Sequence, residues 1–198
     1  DTPVSYALPL NDQLILMNDF IGRDIQIVWD GAINCINCER KTNKSFNQGY
    51  CYPCFKRLAQ CDSCIMSPEK CHFAAGTCRE PQWGEANCNI DHYVYLANTS
   101  GIKVGITRHS QIPTRWMDQG ASQALPIFRV SSRLHSGLVE TTFKAHVADK
   151  TNWRAMLKGT ADPTDLQRHR YTLMSECADA ISALQDEHGL QSITELSN

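Results

Sequence analysis

The sequence predicts an α+β protein. It reads as a small N-terminal β region carrying a zinc-ribbon-like cysteine-rich module, then a three-stranded antiparallel sheet with flanking helices, then a C-terminal helix. Three observations predict this. Nine of the ten cysteines fall between Cys35 and Cys88. Short apolar runs separated by turn residues precede them. A compact strand, strand, helix, strand, helix pattern follows from His92. The expected boundaries are 1–91 for the β and cysteine-rich region, 92–158 for the α+β domain and 159–198 for the helical extension. At 198 residues the chain is long enough for one ordinary domain or two small ones.

The first 32 residues read as β. "YALPL", "QLILMNDF" and "DIQIVWDG" are short apolar runs separated by "ND", "IGRD" and "DG" turn signals. The opening "DTPVSYALPL" lacks the basic start and long apolar core of a signal peptide. The chain begins without Met, so an upstream targeting segment stays open. No run of about 18 apolar residues occurs, which predicts no transmembrane helix and no membrane partner.

Three C-x-x-C pairs follow: "CINC" (Cys35, Cys38), "CYPC" (Cys51, Cys54) and "CDSC" (Cys61, Cys64). Such a turn lets two thiolates point at one metal, so repeated pairs argue for metal over a secreted disulfide scaffold. Reduced thiols imply a reducing compartment, hence the cytoplasm. Twelve residues separate the first two pairs, the spacing of a zinc ribbon with a four-thiolate site. Gly49 lies where the second knuckle needs a tight backbone turn. Lys41 and Lys44, with Arg40, Lys56 and Arg57, form a local basic cluster. It can touch phosphates or be a solvated hairpin tip.

The second cysteine cluster offers more than four ligands. Cys61, Cys64, Cys71 and Cys78 form the simplest set, and Cys88, His72 and His92 are further possibilities. Zinc is favoured over an iron–sulfur cluster because nothing else in the sequence suggests electron transfer. Both sites read as structural, since each has enough protein ligands to close the metal's coordination shell.

From His92 the elements follow in order. "YVYLAN" and "IKVGIT" are two strands joined by "TSG", with Gly101 in the turn. "IPTRWMDQGA" is a helix opened by Pro113 and ended near Gly120. "LPIFRVSS" is the third strand. "SGLVETTFKAHVAD" is a second helix with Ser136 as its expected cap. After Gly159, one long helix is expected, with Leu173, Cys177, Ile181 and Leu184 as its buried stripe. Cys177 reads as a small buried hydrophobe. "HGLQSITELSN" reads as a cap or a loose end.

The stretch from His92 resembles the GIY-YIG nuclease superfamily, whose core is two antiparallel strands, a helix, a third strand and a second helix. "YVY" stands at the first name motif and places Tyr95 on its tyrosine. "KVG" stands at the second, with Gly105 on its glycine and Lys103 where the family usually has tyrosine. "TRW" supplies the helix arginine, Arg115, and "LVETTF" the metal-binding glutamate, Glu140. The wider layout is similar to an uncharacterised bacterial family with a zinc-ribbon front, on "GTCREP", "VGITR", "RWMDQGA" and "DKTNW".

The resemblance implies an endonuclease that hydrolyses phosphodiester bonds in DNA or RNA with one divalent metal. Glu140 would hold Mg or Mn, waters and substrate phosphate filling the remaining positions. Arg115 would stabilise charge on the phosphoryl group. Tyr95 would orient or deprotonate the water. Lys103 would act as the base, if its pKa is lowered, or as a phosphate-binding cation. Arg108 and Asn152 lie near enough in sequence to contact substrate, and His109 or His146 could take part in proton transfer. The rival expectation is a catalytically weak or inactive module that binds nucleic acid or a ribonucleoprotein on the same fold. A weaker third is a zinc-stabilised adaptor for protein partners.

Each residue also has a plainer reading. Tyr95 would be an ordinary strand aromatic, Gly105 a bend, Arg115 a surface helix residue and Glu140 a solvent-facing acid. Trp116 and Trp153 read as packing rather than as base-stacking platforms. Structure separates the readings: cleavage requires Tyr95, Lys103, Arg115 and Glu140 on one groove, with the Glu140 carboxylate open. If Glu140 points away from Arg115, or a salt bridge caps it, the cleavage reading fails.

Overall fold

In the computed structural model, residues 4–10, 12–159 and 161–197 are described. The chain divides into two compact units, Asp1–Cys51 and Tyr52–Asn198. Among the described residues, no helix is long and apolar enough to cross a membrane.

In the first unit, β1 (Ala7–Leu10) pairs antiparallel with β2 (Gln13–Leu16), Ala7 opposite Leu16. A 3₁₀ turn over Met17–Phe20 follows. The third apolar run, expected as a strand, is not one. Residues 24–30 find no partner strand among the described residues, and Ile25, Ile27, Val28 and Trp29 stand exposed. Apolar composition favours a strand only where a neighbouring backbone can take up the N–H and C=O groups. From residue 32 the backbone turns tightly, tied by single bridges between Asn34 and Lys41 and between Phe46 and Tyr50.

The second unit opens with the short helix α1 (Tyr52–Arg57), three 3₁₀ turns and α2 (Pro81–Asn87). Its sheet is built on the hairpin β3 (His92–Asn98) and β4 (Ile102–Arg108). The turn between them carries Gly101 at φ 137°, where a side chain would be strained. Helix α3 (Thr114–Asp118) then leads, past Gly120, to β5 (Gln123–Val130). The expected pattern therefore stands, but the sheet has four strands. The segment read as a cap or loose end supplies β6 (Ile193–Glu195), and the antiparallel order is β4-β3-β5-β6. Pairing shifts by one residue between Val94 and Tyr95, opposite Phe128 and Pro126. The resulting bulge accommodates a proline, which cannot donate to a ladder. β6 pairs only with Phe128–Val130, beyond the proline.

Helix α4 (Arg133–Phe143) packs Val139 and Phe143 into the core against Val94, Leu96 and Phe128. The Phe128 and Phe143 ring centroids are 6.0 Å apart. The helix starts four residues earlier than the sequence suggests. Ser132, not Ser136, is the cap and accepts from the His135 N–H at 3.3 Å. Ser136 lies within the first turns and donates to the Arg133 carbonyl at 2.7 Å. Ser132→Ala is expected to destabilise the protein by about 1 kcal/mol. A urea melt shows this as a lowered midpoint at unchanged slope; an unshifted midpoint would remove the cap from the account.

After the short helix α5 (Trp153–Met156) come α6 (Leu166–Glu176) and α7 (Ala178–His188), in place of the single expected helix. The break is at Cys177, at φ −107° and ψ 7°. Leu173, Cys177 and Ile181 are nevertheless buried as a stripe, with Leu184 packed partly against it. Burial pushes the Cys177 thiol up, as suits a small apolar group.

Candidate functional site

Two constellations carry chemistry. The first is the cysteine group Cys35, Cys38, Cys51 and Cys54, whose sulfurs lie within 4.8 Å of one another. Cys38 Sγ and Cys51 Sγ are 3.7 Å apart. The first knuckle is closed by the Cys35 N–H donating to the Arg40 carbonyl and the Glu39 N–H to the Cys35 carbonyl, at 2.9 and 2.8 Å. Gly49 takes φ 144°, and a Cβ there would come within 2.9 Å of the Ile36 side chain. Burial raises the Cys35 thiol. Backbone hydrogen bonds from Cys51, Asn37 and Cys38, with the Cys38 side chain, more than offset that and bring it down to about 6. Four sulfurs at this spacing fit zinc and leave no position for a substrate. The group can hold a structural zinc ion.

Cys61 and Cys64 are buried, and Cys71 and Cys78 half-buried, in the turns between α1 and α2. Lys41 and Lys44 are exposed, and the Lys44 ammonium lies 5.3 Å from the centre of the Phe46 ring.

The second constellation is polar and sits on the β3–β4 hairpin with α3 and α4. Tyr95 pairs with Gly105 and Ala97 with Lys103, so Tyr95, Lys103 and Gly105 share one face of the hairpin. Val94, Leu96, Val104 and Ile106 occupy the other and feed the core. Gly105 does more than bend the strand. A Cβ there would lie 2.8 Å from the Tyr95 ring and hydroxyl, so the bare backbone makes room for the phenol.

Tyr95 is fully buried, and its hydroxyl donates to Gln119 Oε1 at 2.9 Å. Trp116 packs edge-on to its ring, centroids 5.9 Å apart. Burial raises the phenol's pKa, Arg115 within hydrogen-bonding reach opposes it, and the balance is upward. The phenol stays protonated near neutrality, with its one proton given to Gln119, so it is a poor base.

Lys103 is buried, and next to it the Val104 N–H donates to the Ala148 carbonyl at 2.8 Å. Burial first, then Arg115, push its ammonium below the usual lysine range, while Glu140 and Asp149 pull it back. Glu140 is also buried, and its Oε2 lies 3.4 Å from the Lys144 ammonium, which is 3.4 Å from Asp149 Oδ2. Burial raises the Glu140 carboxyl above its ordinary value, and Lys144 offsets that only in part.

Arg115 of α3 and Glu140 of α4 thus each lie within electrostatic reach of both Tyr95 of β3 and Lys103 of β4. Arg115 is exposed. Glu140 is not the open carboxylate that one-metal cleavage requires, because Lys144 caps it. Lys144 follows Glu140 by four residues, the ion-pair spacing of a helix, and this was the sequence signal for it. Gln119 had no such signal.

The remaining expected residues have partners of their own. Arg108 donates to Asn87 Oδ1 at 2.6 Å. Asn152 caps α5, accepting from the Ala155 N–H at 3.1 Å. His146 Nδ1 lies 3.1 Å from Glu176 Oε2, and the His109 ring lies 5.4 Å from that of Tyr93. Trp153, expected in packing, is exposed, with the Arg154 guanidinium 4.4 Å from its ring centre.

A family model described as "Protein of unknown function (DUF2797)" matches residues 22–197. No curated protein and no solved structure matches the chain.

Proposed function

We propose that this chain, which belongs to the DUF2797 family of proteins of unknown function, binds nucleic acid through a phosphate site on a GIY-YIG-like domain and is at most a weak nuclease. The observation that carries this reading is the unequal state of the charges. Arg115 is exposed, while Glu140 is buried and held by Lys144 at 3.4 Å. An exposed guanidinium fork suits a phosphodiester oxygen pair. The Tyr95 phenol, fixed by Gln119, backs it, and Lys103 adds positive charge from behind. A single carboxylate already paired with an ammonium must lose that partner before it can take Mg²⁺ or Mn²⁺. The exposed Lys41 and Lys44 of the zinc-ribbon-like module could by themselves contact phosphates.

The net charge of −2 favours a local patch over a strongly basic surface, so affinity should be modest and salt-dependent. Fluorescence anisotropy on short single- and double-stranded DNA and RNA, across a salt series, tests the reading. Arg115→Ala should weaken binding about tenfold and make the salt slope shallower by about one. Unchanged affinity and slope would sink the phosphate site.

A second reading, one-metal cleavage, is favoured by the gathering of Tyr95, Lys103, Arg115 and Glu140 and by the order of elements from β3 to α4. It predicts cleavage with Mg²⁺ or Mn²⁺ that Glu140→Ala abolishes while sparing binding. The proposal expects no metal-dependent cleavage above background from either protein.

A further inference from the structure

Four of the nine clustered cysteines form the Cys35 group, and five remain. Cys64, Cys71, Cys78 and Cys88 line one small enclosed cavity, together with Phe73 and Trp83. Cys61 is buried but is not among the residues lining it. The four come from separate pieces of backbone. Cys64 sits in the 3₁₀ turn Ser63–Ile65, and Cys71 directly follows the turn Pro68–Lys70. Cys78 precedes α2, and Cys88 is the C-cap of α2, its N–H donating to the Gly84 carbonyl at 2.7 Å. Gly84 leaves the helix face bare towards this cavity. A Cβ there would lie 2.8 Å from the Phe73 ring and 3.1 Å from Cys78 Sγ.

Asp62 and His72 line the same cavity, and the donor atoms of Asp62, Cys64 and His72, a competing ligand set, lie within 4.8 Å of one another. Two of its three members already have partners. Asp62 Oδ2 takes the Arg79 guanidinium at 2.7 Å, and His72 Nδ1 is 2.8 Å from the Thr77 hydroxyl. A carboxylate neutralised by an arginine is a poor partner for a cation, whereas the four thiols are soft donors suited to zinc.

Arg133 supplies the second, independent observation. Its backbone N–H donates to the Cys88 carbonyl and its Nη2 to the Ile65 carbonyl, each at 2.7 Å. Its Nε is buried and finds no hydrogen-bond partner among the described residues. A buried guanidinium is stabilised by negative charge close to it, which neutral thiols do not supply. Four thiolates around Zn²⁺ carry a net charge of −2 and provide it.

We infer that Cys64, Cys71, Cys78 and Cys88 form a second, structural tetrathiolate zinc site, with Arg133 as the cation that balances it. Binding exchanges four S–H protons, released to solvent, for four Zn–S bonds, with no change of oxidation state. Arg133 acts through the thiolates and does not ligate. The inference is independent of any nucleic-acid ligand.

Elemental analysis of the full chain purified without chelator tests it. The intact protein should carry about two zinc ions per chain, Cys88→Ser about one, and Cys61→Ser about two. Arg133→Gln should weaken zinc retention at this site about tenfold in a chelator competition. If Cys88→Ser is insoluble, cobalt replaces zinc in Cys88→His and Cys61→His. The first should shift the thiolate–cobalt absorption, and the second should leave it unchanged. Two zinc ions retained in Cys88→Ser, one lost in Cys61→Ser, or an unshifted Cys88→His spectrum would each overturn the ligand set. Iron or disulfides in the intact protein would overturn the site.

Discussion

Stripping metal from the Cys35, Cys38, Cys51 and Cys54 group is expected to unfold residues 32–51 while the sheet of the second unit stays folded. The reason is what the first unit buries. Among its described residues only Cys35 and Cys51 are buried, and Leu8, Leu14, Ile27 and Trp29 are all exposed. No apolar core can repay the entropy of ordering those tight turns, so the metal must. Structural zinc sites in small modules supply about 10 kcal/mol or more of apparent binding free energy near neutral pH. The second unit has its own core in Val94, Leu96, Phe128, Val139 and Phe143. Hydrogen exchange read by mass spectrometry, before and after chelation and in Cys51→Ser, separates the two. Protection should vanish across 32–51 and persist across β3 and β5. Protection in 32–51 that survives metal loss would remove zinc from the account of this module.

Gly137→Ala is the second large expected effect, about 2 kcal/mol of lost stability. Gly137 lies inside α4, where alanine normally stabilises by about 1 kcal/mol. Here the space is taken. A Cβ would sit 2.4 Å from the Glu69 backbone nitrogen and 2.6 Å from the Pro68 carbonyl carbon. Side chains can rotate away from a new methyl, but backbone cannot, so the turn Pro68–Lys70 must separate from the helix. Overpacking of this kind costs about 1 to 3 kcal/mol even where side chains are the obstacle, so the cost exceeds the gain in helix propensity. Denaturant melts of wild type and variant measure the difference. A Gly137→Ala protein as stable as wild type would mean that α4 and the turn do not meet as described.

Much of this fold was legible because local signals and tertiary demands agreed. The β3–β4 hairpin combined apolar strands with a glycine turn, and both hold. The first two knuckles announced their cysteine group through spacing alone. Where the sequence misled, the deciding term was non-local. Residues 24–30 have strand-like composition but no strand to pair with. Ile193–Glu195 has little to mark it locally, yet β5 offers it an edge. Ser132 and Ser136 are equally good caps by residue type, and packing of Val139 and Phe143 selects the start. The polar cluster was half legible. Its four members were named from motif order, but neither the burial of Glu140 nor the Tyr95–Gln119 bond has a sequence signature.

The placement of β6 has a consequence for how the protein is made. Its partner residues Phe128–Val130 leave the ribosome before α4, α6 and α7, and β6 emerges only after all three. Until then the sheet has an unpaired edge, of the kind that invites pairing with another chain. Leu166 and Leu173 of α6 belong to the core, and α6 precedes β6 in the chain. A message stopped between His188 and Ile193 therefore yields a product that carries every core residue except Ile193 but whose sheet lacks β6. Such a truncated product would be caught by quality control for aggregation rather than for lack of a core.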